Sequence, residues 1–199
     1  IEVFIWTVLT VRSRWPRIGL ETSGRSRSPL TIADQKAHNI ILEYLEETGI
    51  PVLSEEGKHI PFEERSNWTR FWLVDPLDGT KEFIKRNDEF TVNIALIQEQ
   101  RPVFGVIYAP VLDRYYYGGP DHGAWRRNGP SEPQPIRAQS AHRQPPVIAG
   151  SRSHAAGALA RFLENLGPQT GHVEHLVVGD ARKLAGPFAD IGIGGVNTV

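Results

Sequence analysis

A run of apolar residues that ends in two acids, a proline and a glycine is the feature that most constrains this chain. The segment WLVDPLDGTKEF occupies residues 72–83 and begins with the composition of a buried strand. Pro76 restricts φ, so it turns the chain away from the strand direction, and Gly79 permits a positive φ or a close backbone approach. The pattern therefore predicts a sharp connection from a strand to a helix, at which Asp75 and Asp78 converge.

A helix is predicted upstream of this segment. Thr31 and Asp34 have the spacing of a capping box with Asp in place of Glu, which places the helix start at the end of SPLTIAD. The apolar residues that follow have the i, i+3, i+4, i+7 spacing of an amphipathic helix, and they are Ala37, Ile40, Ile41, Tyr44 and Leu45. Gly49 is expected to end this helix as a C-cap.

The remaining periodic segments are mostly strands. PVLSEEG predicts a short strand that carries Glu55 and Glu56 at its exit, and a short helix is expected near residues 81–86. FTVNIALI, RPVFGVIYAP, DRYYYG and PPVIAGSRSH predict further strands, and residues 159–166 predict a helix. Helices on both sides of a run of antiparallel strands favour an α+β layered sandwich.

We expect three parts along the chain. Residues 1–27 form an atypical N-terminal segment, and residues 28–150 form a metal- and phosphate-binding α+β domain. Residues 151–199 begin a second α/β domain, whose tail diverges from about residue 179.

Composition excludes several kinds of function. The 199 residues contain no cysteine, which rules out a thiolate nucleophile, a disulfide framework and a cysteine zinc site. A formal net charge of −1 provides no basic surface for nucleic acid. Methionine is absent even at position 1, so we expect the chain to be a fragment.

The acids at the strand exits predict a metal site. Glu55, Asp75 and Asp78 offer only hard oxygen ligands, which suit Mg²⁺, and the carbonyl of Leu77 could contribute a further oxygen. The amides after Gly79 begin a helix, where N–H groups favour a phosphate. A turn with solvated carboxylates explains the same residues, because Asp and Gly are common in turns. From this motif alone the two interpretations rank equally.

Four segments in this order and spacing resemble the inositol monophosphatase superfamily of metal-dependent phosphatases, and they are SPLTIAD, PVLSEEG, WLVDPLDGTKEFI and FTVNIALI. The continuation TKEFIKRNDEFTVNIALI is similar to the CysQ-type 3'(2'),5'-bisphosphate nucleotidases. The resemblance covers about residues 28–178, including GSRSH at 150–154. It implies a layered αβαβα sandwich and two or three Mg²⁺ ions.

The resemblance also implies roles for individual residues. Glu55, Asp75 and Asp78 would bind metal, with Asp75 bridging two ions, and Leu77 would add its carbonyl oxygen. Thr80 and Asp34 would form a hydrogen-bonded pair that orients and deprotonates the attacking water. For Asp34 the residues alone favour a helix cap. The substrate site implied by the resemblance is lined by Glu55, Leu77, Asp78, Gly79 and Thr80, with the backbone N–H groups of Gly79 and Thr80 holding the phosphate.

The activity implied is hydrolysis of the 3'-phosphate of adenosine 3',5'-bisphosphate to give AMP, a salvage step linked to sulfate assimilation. The alternative enzymes are an inositol monophosphatase or a broad sugar phosphatase, and the alternative of another class is a non-catalytic remnant that binds phosphate or metal. The partner is then a small phosphorylated nucleotide and not a nucleic acid. Family analogy places the protein in the cytoplasm, with peripheral association at the inner face of the cell membrane.

Both ends depart from the family pattern. The WDxxA-type motif, whose Asp binds the second metal, has no counterpart, and GDARK at residues 179–183 stands where a GSS-like stretch is expected. We therefore expect ends altered by a shifted reading frame or a misassembled gene. We also expect at most one tightly bound Mg²⁺ and poor or no hydrolysis of adenosine 3',5'-bisphosphate by this chain.

Overall fold

The computed structural model describes residues 29–86, 88–138 and 161. In chain order its elements are α1 (Pro29–Leu45), a 3-10 turn (Glu46–Thr48), β1 (Val52–Ser54), α2 (Phe62–Arg65), β2 (Arg70–Asp78), α3 (Thr80–Lys85), β3 (Thr91–Gln98), β4 (Arg101–Ala109), β5 (Arg114–Gly119), β6 (Gly123–Asn128) and β7 (Gln134–Ile136).

Helix α1 begins earlier than the sequence pattern predicts. Its first residue is Pro29, which suits a first helical position because proline has no N–H to leave unbonded there. The predicted capping box is therefore wrong: Thr31 and Asp34 both lie inside the helix, and Asp34 is not its cap. The predicted end is confirmed, since Gly49 has φ of 66° and its N–H donates to the carbonyl of Glu46 at 3.0 Å.

The strands form one seven-stranded sheet in the order β1 to β7. β1 and β2 are parallel, and every other neighbouring pair is antiparallel. The predicted strands at 90–97, 101–110 and 113–118 are confirmed as β3, β4 and β5. An α+β architecture is likewise confirmed. β6, β7 and α2 were not predicted, because their short segments lack an apolar period.

β2 continues through the acidic segment, where a turn was expected. Asp75 pairs with Asn93 and Asp78 pairs with Thr91, so three steps along β2 match two steps along β3. This bulge absorbs the extra residue and accommodates Pro76, which cannot donate a ladder hydrogen bond. The expectation that the strand ends before Asp75 is therefore wrong. The expected short helix follows at once as α3.

Both faces of β3 are buried, as its nearly continuous apolar sequence requires. On one face Val92, Ile94 and Leu96 pack in a cluster with Ile41 and Leu45 of α1. On the other face lies a second cluster that contains Ala95, Ile97 and Ile107. Helix α1 thus covers one face of the sheet, and the edge where β1 and β2 end lies beside it.

Several predictions fall on residues that the structure does not describe. They are the atypical segment 1–27, the strand at 145–154, the divergent tail and the helix at 159–166, of which only Arg161 is described and helical. Among the described residues, no helix is long and apolar enough to cross a membrane.

Candidate functional site

The parallel pairing of β1 with β2 brings two predicted metal ligands together where β1 ends. The strands are parallel, Ser54 pairs with Val74, and the N–H of Glu55 donates to the carbonyl of Val74 at 3.0 Å. Glu55 therefore leaves β1 beside Asp75 in the neighbouring strand. This placement follows from the parallel pairing, because the carboxyl ends of parallel strands lie at the same edge.

Helix α1 brings a third acid to this edge. Asp34 is buried, and its pKa is raised to about 7, first by burial and then by the charges of Glu56, Asp75 and Glu55. A hydrogen bond to its own backbone opposes this rise. Like charges disfavour ionisation of one another only at short range, so four carboxylates, from α1, from the turn after β1 and from β2, share one electrostatic environment. Glu56 was not predicted as a site residue, although its charge raises the pKa of Asp34 more than that of Glu55 does.

Asp78 lies at the end of β2 and is only 2% exposed. Its Oδ2 accepts a hydrogen bond from Nδ2 of Asn93 at 3.2 Å, which holds the carboxylate against β3. Oδ1 of Asn93 has no hydrogen-bond partner among the described atoms. Asn93 was missed in the sequence analysis. Its signal was a lone amide in the otherwise apolar strand TVNIALI.

Thr80 and Leu77 lie next to this carboxylate. The hydroxyl of Thr80 donates to the carbonyl of Leu77 at 3.3 Å, and the Leu77 side chain packs against Ala33 and Ala37 of α1. Since Ala33 precedes Asp34, this packing holds the first half of α1 against the segment that carries Thr80. The predicted pairing of Asp34 with Thr80 remains a prediction.

Gly79 joins β2 to α3 in a conformation that favours glycine. Its φ is 98°, and a Cβ at this position would lie 2.7 Å from the carbonyl oxygen of Glu89. Gly79 therefore permits both the positive φ and the close approach of the segment before β3. Its predicted contact with phosphate stays a prediction.

The acids fit a hard cation in their chemistry. All the candidate donors are oxygens, and the mutual repulsion that raises the pKa of Asp34 is what a bound cation would relieve. Within the described ranges, no three His, Cys, Asp or Glu side chains are gathered closely enough to form a metal centre as they stand. The donor set is thus suitable, and its side chains would have to close around an ion.

Comparison with known proteins points in the same direction. A model of the inositol monophosphatase family matches residues 4–185. The 3'(2'),5'-bisphosphate nucleotidase CysQ of Salmonella typhimurium is 51% identical over 142 residues, which are 70% of this chain and 56% of that protein. CysQ of Escherichia coli strain K12 is 47% identical over 147 residues, 73% of this chain and 58% of that protein. The chain thus spans a little over half the length of these curated relatives.

Solved structures agree on the fold. CysQ from Bacteroides thetaiotaomicron is 37% identical with a TM-score of 0.72, and the match covers 88% of this chain and 70% of that one. The suhB protein of Bartonella henselae is 23% identical with a TM-score of 0.68, which supports the fold alone. Because the family model matches most of the chain, this protein belongs to the inositol monophosphatase family.

Proposed function

We propose that this protein is a Mg²⁺-dependent phosphomonoesterase that removes the 3'-phosphate of adenosine 3',5'-bisphosphate to give AMP. Over 70–73% of its length, the chain is 48–51% identical to proteins described as 3'(2'),5'-bisphosphate nucleotidases. The solved structures also include proteins named as inositol monophosphatases or extragenic suppressors, and these are 18–24% identical to the chain. Identity at that level supports a shared fold but does not indicate a shared substrate. This difference favours the nucleotide over an inositol phosphate.

The observation that carries the proposal is the common environment of four carboxylates. Asp34, Glu55, Glu56 and Asp75 come from three elements, and the last three raise the pKa of the first. Carboxylates gathered beside a buried acid repel one another at short range, and this repulsion opposes folding. A binding site for a divalent cation and a phosphate would explain why the carboxylates lie together.

In this proposal Asp34 and Thr80 act on the attacking water. In the metal-free chain the pKa of Asp34 is about 7, and the charge of a bound cation would lower this pKa, so that the carboxylate is ionised at neutral pH and able to accept a proton from the water. The Thr80 hydroxyl donates a hydrogen bond to the carbonyl oxygen of Leu77. Its oxygen lone pairs could therefore accept a hydrogen bond from that water. The backbone N–H groups of Gly79 and Thr80 would hold the phosphate.

The metal would be held by four groups, which are the carboxylates of Glu55, Asp75 and Asp78 and the carbonyl of Leu77. Bound Mg²⁺ neutralises phosphate charge and stabilises the attacking and leaving oxygens. The chain's own part is to keep these oxygens at one edge of the sheet, where β1, β2 and the bulge position them. The hydrogen bond from Asn93 to Oδ2 fixes the orientation of the Asp78 carboxylate.

Phosphate release from a substrate panel tests the proposal. The 199-residue chain is assayed with adenosine 3',5'-bisphosphate, inositol 1-phosphate and a sugar phosphate, each with Mg²⁺ and with EDTA. We expect slow release that requires Mg²⁺ and is fastest from the nucleotide, and the rate is expected to be low because the sequence has no counterpart of the WDxxA-type motif. Asp78→Asn should abolish release, whereas the matched control Asp121→Asn, in the exposed β5–β6 turn, should not change it.

The panel separates the alternatives. Faster phosphate release from inositol 1-phosphate or from the sugar phosphate would show that this compound, and not the nucleotide, is the preferred substrate. Binding of Mg²⁺ and phosphate with no release from any substrate would identify a non-catalytic binding protein. Release that persists in EDTA, or in Asp78→Asn, would refute the metal assignment.

A further inference from the structure

His38 lies one helical turn after Asp34 on the same face of α1. The side chain is only 5% exposed, and its Nδ1 lies 2.8 Å from Oγ of Ser54. Ser54 is the last residue of β1 and directly precedes Glu55 and Glu56. One hydrogen bond thus joins the helix that carries Asp34 to the strand that delivers the paired acids.

The turn after β1 closes over the imidazole ring. The N–H of Gly57 donates to the carbonyl of Ser54 at 3.1 Å, so Ser54 to Gly57 form a tight turn with both acids inside it. A Cβ added at Gly57 would lie 3.6 Å from Cε1 of His38, so the far end of the turn faces the ring. The ring is therefore hydrogen-bonded to the first residue of the turn and lies close to its last residue.

The charge of Glu56 acts on two residues of α1, Asp34 and His38. The turn therefore holds this carboxylate near the face of α1 that carries both. A buried imidazole loses solvation, and a hydrogen bond compensates only if its partner stays in place. The geometry of the turn and that of the helix face are therefore coupled through the His38–Ser54 contact.

We propose that His38 is a positioning residue that sets the Glu55–Glu56 turn relative to Asp34 through its hydrogen bond with Ser54. The inference rests on the proposed function, because it assigns that turn to the metal site. His38 itself contacts neither metal nor substrate. His38 would orient the residues that bind the metal, as residues next to metal ligands commonly do.

A double-mutant cycle in the full 199-residue chain tests this. Mg²⁺ affinity is measured by calorimetry in the presence of inorganic phosphate for the parent, Ser54→Ala, His38→Phe and the double variant. Each single variant should weaken Mg²⁺ binding by about 10-fold, and the double variant should bind no more weakly than the singles. His38→Asn, which keeps a polar group near the Nδ1 position, and Ser54→Thr should restore affinity to near the parent value.

Two further measurements separate positioning from simple stability. Ile107→Val, in the buried cluster on the opposite face of the sheet, should lower stability without changing Mg²⁺ affinity. Hydrogen exchange at the amides of residues 55–57 should accelerate in Ser54→Ala and His38→Phe, and not in Ile107→Val. Unchanged affinity in both single variants, or losses that simply add in the double variant, would overturn the inference alone. A parent chain that binds no Mg²⁺ would overturn the proposed function, and this inference with it.

Discussion

Asp34 is a buried acid whose ionisation is opposed by its surroundings, and this makes stability depend on pH. In the folded chain its pKa is about 7, against 3.8 for an unperturbed carboxyl. The folded state therefore binds the proton more tightly than the unfolded state. The resulting stabilisation is complete below pH 4 or so and is lost as the pH rises through about 7.

We predict that Asp34→Asn removes this pH dependence. With EDTA present, the parent's free energy of unfolding should contain a component that declines from about pH 4 to about pH 7, by at most about 4 kcal/mol. The variant is neutral throughout and should lack that component. Urea unfolding at a series of pH values measures it, with Asp121→Asn as a control that keeps the parent profile. Added Mg²⁺ should flatten the parent profile. Equal slopes for parent and Asp34→Asn would contradict the assignment.

The hydroxyl of Thr80 gives the second prediction at this scale. Thr80→Val should lower kcat by about 10²–10⁴-fold in a turnover assay and affect phosphate binding far less, because it removes a group that positions the attacking water. Thr48→Val is a close control: the Thr48 hydroxyl also donates to the carbonyl three residues earlier, that of Leu45, at 2.6 Å. It should cost stability and leave kcat unchanged. If both variants keep the parent kcat, the Thr80 hydroxyl has no role in catalysis, and its hydrogen bond to the carbonyl of Leu77 is structural only.

At the scale of elements, the connection from β2 to α3 determines where the site residues lie. β2 ends at Asp78, which follows the bulge and pairs with Thr91 of β3, and Gly79 directly precedes α3. The backbone therefore changes from strand to helix at Gly79, beside the carbonyl of Glu89. A side chain at Gly79 would therefore disturb the bulge and the helix start together.

We predict that Gly79→Ala lowers the free energy of unfolding by about 2–5 kcal/mol, because it combines a positive φ with a close contact. Gly49→Ala is the matched control. Its φ is also positive, at 66°, but a Cβ there meets nothing within 4 Å, so the expected loss is about 1–2 kcal/mol. Chemical denaturation of both variants measures the difference. Equal losses would mean that the segment before β3 moves away at little cost.

At the scale of the whole molecule, a large apolar cluster packs α1 against the sheet. Ile94 at the centre of β3 is 1% exposed and packs in the cluster that contains Ile41 and Leu45. The site depends on this packing, because Asp34 reaches the strand exits only while α1 lies on the sheet.

Truncation in this cluster should therefore weaken the fold and the site together. We predict that Ile94→Ala lowers the free energy of unfolding by about 2–5 kcal/mol, through lost burial and a residual cavity. The control Ile84→Ala, at a side chain that is 58% exposed, should change it by no more than about 0.5 kcal/mol. Thermal and urea unfolding measure both. A similar small effect for both variants would show that the cluster around Ile94 repacks to fill the space.

Much of the fold was determined by local sequence. The period of α1, the left-handed cap at Gly49, the short helix after Gly79 and strands β3 to β5 follow from apolar spacing and from the backbone freedom of glycine. These signals act between near neighbours along the chain. β6 and β7 escaped prediction because the pairing of β6 with β5 and of β7 with β6, and not their own composition, makes them strands.

The candidate site divides in the same way. The motif with Glu55, Asp75 and Asp78 could be identified from spacing, and these residues remain the predicted ligands. The tertiary structure decided three other things: the bulge that carries β2 through to Asp78, the bond from Asn93, and the contact of His38 with Ser54. The last two join residues 15 and 16 positions apart. Burial, strand register and shared electrostatic fields arise only when distant segments pack together, so no local pattern could reveal them.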